Sequence, residues 1–165
     1  MEPNRKVYLA GPLGFTEPGR LYHEAVLLPA VLAAGFEPLD PWDVGADIAE
    51  VFALAPGDPR RTKELPAVNR RVGELNAEMI RGCGGVLAVL DGSDVDSGTA
   101  AEIGYAAALR RPIVGLRTDL RNSGDNEATL VNLQVEWFIA ESGGGLSTRL
   151  SDAIARLMKI LDPRV

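Results

Sequence analysis

The run Val86–Leu90, VLAVL, restricts the fold more than any other feature: five consecutive apolar residues with glycines just before and acids just after. A strand with one wet face alternates polar and apolar residues. A short unbroken apolar run therefore belongs to a strand covered on both faces, as in a parallel sheet with helices above and below. Lys6–Ala10, KVYLA, has the same character, and the Gly11, Pro12 and Gly14 that follow it start a loop rather than a helix.

Helical spacing fills the intervals. From about Gly19 to Ala34 the apolar positions Leu21, Ala25, Leu28 and Leu32 recur every three to four residues, and Gly35 follows as a C-cap. Phe36–Leu39 predicts a second strand, ended by Asp40 and Pro41, which completes a βαβ unit. Residues 42–66, with Pro56, Gly57, Asp58 and Pro59, predict a long excursion of the kind that often carries function. Val68–Ile80 predicts a helix through Val72, Leu75 and Met79, stopped by Gly82, Gly84 and Gly85. Further helices are predicted over 99–110, 130–140 and 147–161, a fourth strand over 112–116, and a flexible joint over 141–145. The alternation predicts a single α/β domain, residues 1–165. Its architecture is a doubly wound, flavodoxin-like or Rossmann-like parallel sheet of about four to five strands flanked by helices.

Composition sets the outer limits. At 165 residues and 46% hydrophobic content the chain buries one core, built from aliphatic side chains because only 5% are aromatic. Acidic residues outnumber basic ones by 23 to 17, and a net charge of -6 repels phosphate backbones and anionic lipid, so nucleic-acid and membrane partners are not expected. One cysteine, Cys83, builds neither a disulfide nor a multi-cysteine metal site, and no metal or other cofactor is expected. Met1 to Lys6 is polar and leads into an apolar stretch of about five residues, too short for a signal-peptide core or a membrane span, so a cytoplasmic location is expected.

In open α/β sheets, ligands bind beyond the carboxyl ends of the strands where the strand order reverses, here between strands one and three. Tyr8–Phe15 and Asp91–Glu102 should therefore meet. The second segment gathers Asp91, Asp94, Asp96 and Glu102 beside glycines that let a ligand approach the backbone. Glu102 has two readings. Thr99 followed three residues later by Glu102 is a capping box, T-x-x-E, and the local pattern by itself favours that. A carboxylate kept ionised at a helix N-terminus can also attack an electrophilic sugar carbon, and the switch-point position with three acids upstream favours this second reading. Gly11, Gly14 and Gly19 do not have G-x-G-x-x-G spacing, and no P-loop is present. His23 reads as a surface or packing residue, and Cys83, with no thiol or second histidine to activate it, as structural.

YLAGP at Tyr8–Pro12, DVDSGTAAEIGYA at Asp94–Ala106 and VNLQ at Val131–Gln134 occur in that order. With them the sequence resembles the nucleoside 2-deoxyribosyltransferases over most of its length. The resemblance implies transfer of 2-deoxyribose between nucleobases, from 2-deoxynucleosides to free bases, through a covalent ester on Glu102. It implies that Tyr8 orients this carboxylate, and that Asp96 contacts the sugar and the departing base and delivers its proton. Phe15 corresponds to an aromatic residue packed against the base, and Gly11 and Gly98 to backbone that substrate approaches. Asn76 stands where some members carry an aspartate that engages the base, and an amide supplies no proton at neutral pH. Asn132 and Gln134 match residues that reach the site from a neighbouring subunit, which implies a homodimer or a hexamer of dimers with a shared active site. On sequence alone, Asn132 reads better as a helix cap or surface amide.

The wider superfamily includes 2-deoxynucleoside 5-monophosphate N-hydrolases, the nearest alternative. Their phosphate would call for a serine in the first loop, yet Ser93 and Ser97 are the first two serines of the chain. A non-catalytic nucleotide-binding module, in which Asp96 and Glu102 only bind ribose and cap a helix, is the rival from another class.

Overall fold

The computed structural model describes residues 3–162. The extreme ends of the expected 1–165 domain, with the Met1 and Glu2 of its polar N-terminus, lie outside the described residues. Within them five strands, β1 (Lys6–Ala10), β2 (Glu37–Leu39), β3 (Gly85–Val89), β4 (Ile113–Leu116) and β5 (Gly145–Ser147), form one parallel sheet in the order β2-β1-β3-β4-β5. The chain moves outward from β1 to β2 and then returns to the other side of β1, so the order reverses between β1 and β3, as expected.

β3 is buried at every position, and β1 and β4 are buried apart from Lys6. Successive side chains of a strand point to opposite faces, and this divides the core in two. Val7 and Leu9 pack with Leu27, Val31 and Leu157 on one face. Tyr8 and Ala10 pack with Ile80, Ile103 and Ile139 on the other. Each fully buried aliphatic side chain contributes about 1.5–3 kcal/mol.

The first helical pass starts earlier than its periodicity indicates. Thr16 caps α1 (Glu17–Tyr22), its hydroxyl accepting from the Gly19 amide at 3.1 Å, and a π turn (His23–Leu27) joins it to α2 (Leu28–Ala33). The largest correction falls on residues 42–66. They hold a helix, α3 (Ala46–Ala53), and the opening of a 24-residue helix, α4 (Pro59–Gly82), of which Val68–Ile80 is only the later part. Asp58 caps α4 and Pro59 occupies its first position, where a missing N–H costs nothing. Pro66 lies within α4 and removes one ladder bond without ending it. Arg61 closes the α3–α4 hairpin by donating to the carbonyls of Val51, Phe52 and Leu54 at the end of α3.

α5 (Ser97–Ala108) follows β3, α6 (Leu133–Glu141) follows a long connection, and α7 (Leu150–Leu161) closes the chain. α6 begins at Leu133 rather than at residue 130 because Asn132 is its N-cap. The end of the expected joint at 141–145 enters β5, the fifth strand of the sheet, so α7 begins at residue 150 rather than 147. No helix among the described residues is long and apolar enough to cross a membrane.

Candidate active site

The alternation along β1 turns Tyr8 toward the face covered by α4, α5 and α6. Its fully buried phenol donates to Glu102 Oε1 at 2.7 Å, joining residues 94 apart in the chain. The Asn76 amide, on α4, stands 3.5 Å from the same oxygen. Oε2 has no hydrogen-bond partner among the described residues.

The T-x-x-E capping box does not form. Asp96 is the N-cap of α5, its Oδ2 accepting from the Thr99 amide at 2.9 Å and from the Thr99 hydroxyl at 3.1 Å. Glu102 lies six residues beyond that cap, past the first turn to which dipole stabilisation is confined. The expectation that the dipole keeps it ionised is corrected accordingly. Burial pushes the Glu102 carboxyl above the ordinary glutamate value, the Tyr8 hydrogen bond pulls it partly back, and the neighbouring Asp96 charge adds to the rise. Tyr8 is pushed far above the usual tyrosine range by its own burial and then by Glu102, so it acts as a neutral donor. The pair is a basic carboxylate held by a phenol that stays protonated.

The other acids of the segment have structural work. Asp91 accepts from the Thr118 amide and hydroxyl and from the Asp119 amide, at 2.5, 2.6 and 2.9 Å, tying the loop after β3 to the loop after β4. Asp94 accepts from the Val95 amide. Of the four, only Asp96 and Glu102 reach the cavity that opens at the switch point.

That cavity measures about 500 Å³. Gly11, Asp96, Gly98, Thr99 and Glu102 line it, Asn76 joins them from α4, and Phe15 from the loop after β1. The structure therefore gathers Tyr8, Gly11, Phe15, Asn76, Asp96, Gly98 and Glu102. Asn132 and Gln134 are not in the lining contributed by their own chain: Asn132 Oδ1 accepts from the Gln134 and Val135 amides as the cap of α6.

The remaining wall comes from the loop after β2 and from the α3–α4 hairpin. Trp42 meets Phe15 edge to face at 4.8 Å between ring centres, and Pro41, Val44, Phe52 and Val72 continue the surface. Val72 could have been inferred from its place one turn before Asn76 on α4, whereas Phe52 could not without α3. Trp42 is fixed from behind: Asp40 Oδ1 accepts from its amide at 3.0 Å, while Asp40 Oδ2 lies 2.7 Å from Nε2 of His23, buried in the π turn. His23 is thus a packing residue rather than a surface one. Cys83 is buried, its thiol pushed upward mainly by that burial, with Sγ directed to the Ile80 carbonyl. No cluster of three or more His, Cys, Asp or Glu among the described residues is placed to hold a metal ion.

Comparison with known proteins gives this geometry a family. The structure is similar to that of a conserved protein from Enterococcus faecalis (TM-score 0.71, 22% identity, 98% of this chain and 99% of that one). It is also similar to a 2-deoxyribosyltransferase from Bacillus psychrosaccharolyticus (0.63, 17%, 90% of each). A CMP N-glycosidase from Clostridium botulinum shares the fold at TM-score 0.53 and 16% identity, over 92% of this chain and 97% of that one. In sequence, an uncharacterized protein of Schizosaccharomyces pombe is 33% identical over 119 residues, 70% of this chain, and the chain spans about half the length of that relative. The family model for nucleoside 2-deoxyribosyltransferase matches residues 7–134, a span that runs from β1 through the Tyr8–Glu102 pair to the cap of α6, and the chain belongs to that family.

Proposed function

We propose that this protein moves 2-deoxyribose between nucleobases by double displacement, with Glu102 as the nucleophile. The observation that carries the proposal is the half-buried Glu102 carboxylate, held at one oxygen by Tyr8 inside a cavity at the strand-order reversal. Oε2 attacks C1′ of the deoxyribose as the bond from C1′ to the base nitrogen breaks, its electron pair leaving with the base. Solvent, or Asp96 in the same wall once it has taken a proton from solvent, protonates the departing nitrogen. A second base then attacks C1′ from the vacated face and displaces Glu102, so two inversions give net retention. Water in place of the second base completes a slower hydrolysis.

The basicity that burial gives Glu102 favours this role, because a more basic carboxylate is the stronger nucleophile once ionised. Asn76 supports the same oxygen that Tyr8 holds, a different duty from engaging the base. Among the described residues the cavity lining carries no lysine or arginine, which favours a neutral 5′-hydroxyl over a 5′-phosphate, and hence a nucleoside over a nucleotide substrate. Asn132 Oδ1 is committed to capping α6 while its Nδ2 is free to donate, and in our proposal it does so to the sugar bound by a neighbouring copy.

Incubation with deoxyinosine and free adenine tests the reaction. Deoxyadenosine is the expected product. Absence of transfer with every deoxynucleoside and base tried would overturn the proposal, and base release from a 2-deoxynucleoside 5′-monophosphate without transfer would replace it with the hydrolase alternative.

A further inference from the structure

The cavity that holds Glu102 is lined mostly by apolar side chains. α4 rises about 1.5 Å per residue, so Val72, four residues before Asn76, stands about 6 Å further along the same face and away from the reacting carboxylate. Val44, Phe52 of α3, Pro41 and the Trp42 ring line the same cavity. None of these except the Trp42 indole carries a side-chain donor or acceptor, whereas Asn76 and Asp96 stand beside Glu102, and Thr99 beside Asp96. At about 500 Å³ the cavity falls within the roughly 300–1,000 Å³ typical of small-molecule sites.

A base seated on Phe15 and Trp42 would share the cavity with the apolar side chains of Val44, Phe52 and Val72. An apolar compartment rejects an extra methylene or ring weakly and gains from burying it, while it offers nothing to select an amino or keto group. The α3–α4 hairpin that supplies Phe52 and Val72 is held by Arg61 on the end of α3, so the compartment is built into the fold.

We propose that this end of the site is a compartment for an apolar substituent on the nucleobase, and that the enzyme accepts bases extended by a hydrophobic group in preference to the unsubstituted base. The proposal rests on the deoxyribosyl-transfer reading for its kinetic consequence but not for binding, and the test separates the two.

Isothermal calorimetry on the Glu102→Gln protein compares adenine with N6-benzyladenine as free bases. The benzyl compound is expected to bind roughly 10- to 100-fold more tightly, the gain for burying one phenyl-sized group. Equal affinities, or tighter binding of adenine, overturn the compartment and leave that wall to some other cover, such as a second copy of the chain. In the wild-type protein, with deoxyinosine as donor and both bases competing, the transfer products are expected in the same order. If calorimetry shows the preference and no transfer occurs, the reaction has failed while the compartment stands. Phe52→Gln is expected to reduce the ratio of the two affinities about tenfold, and an unchanged ratio counts against the assignment of Phe52.

Discussion

Gly14 lies against the indole of Trp42 so closely that a β-carbon on the glycine would stand 2.1 Å from Cδ2 and 2.2 Å from Cε3. No side chain fits there without moving the ring, and through its edge contact with Phe15 the ring sets the wall against which a base would lie. Gly14→Ala is expected to cost about 1–3 kcal/mol through overpacking and to weaken base binding. Trp42 fluorescence, read alone in a Trp137→Phe background, should shift with it. An unchanged emission spectrum together with unchanged affinity would show that the ring had room to give.

Tyr8→Phe removes a hydrogen bond that pulls the Glu102 carboxyl downward, so that carboxyl moves still further above its ordinary value. Transfer needs the ionised carboxylate, and the acid limb of kcat/KM should therefore shift to higher pH. Losing a hydrogen bond to a charged group, about 1.5–3 kcal/mol, should lower the plateau roughly 10- to 100-fold. A pH–rate profile on both proteins checks the direction. An acid limb that stays in place or moves downward would contradict the role given to Tyr8.

The same carboxyl makes stability depend on pH. Its folded-state pKa is raised, so between the unfolded and the folded values the native state binds more protons than the unfolded chain. Its contribution is most favourable below the unfolded value and is lost as pH rises through the folded one. Glu102→Gln keeps an acceptor for Tyr8 and avoids burying a charge. It should abolish transfer yet raise Tm at neutral pH, with the difference shrinking as pH falls below the ordinary glutamate range. Thermal melts across that range test this, and a variant less stable at neutral pH would count against it.

How far these features could be read in advance depends on what holds them. β1, β3 and β4 announce themselves because burial on both faces leaves no polar positions, and their order then places Tyr8 beside Glu102. The start of α5 was harder, since D-x-x-T at Asp96 and T-x-x-E at Thr99 are both sound caps offset by three residues. Asp96 prevails because aspartate caps at least as well as threonine and the earlier start adds a turn to the helix. α3 was out of reach: eight residues begin after Gly45 at positive φ and end on carbonyls satisfied by Arg61 from the next helix, a tertiary tie with no local signature. Phe52 was lost with it. Asn132 reads as a cap because within one chain it is one; any second duty depends on another copy.

That second duty can be isolated because aspartate caps a helix about as well as asparagine. Asn132→Asp should keep α6 intact, with stability within about 0.5 kcal/mol of wild type, while losing the Nδ2 donor and lowering transfer about tenfold or more. Asn132→Ala should lose the cap as well, at about 1 kcal/mol. If the donor comes from a neighbouring copy, Glu102→Ala and Asn132→Asp proteins, each impaired alone, should regain activity when unfolded and refolded together. In a mixed dimer one site combines an intact Glu102 with an intact Asn132, so random pairing restores up to about a quarter of wild-type activity. Recovery no greater than the sum of the two separate activities would place Asn132 in service to its own chain alone.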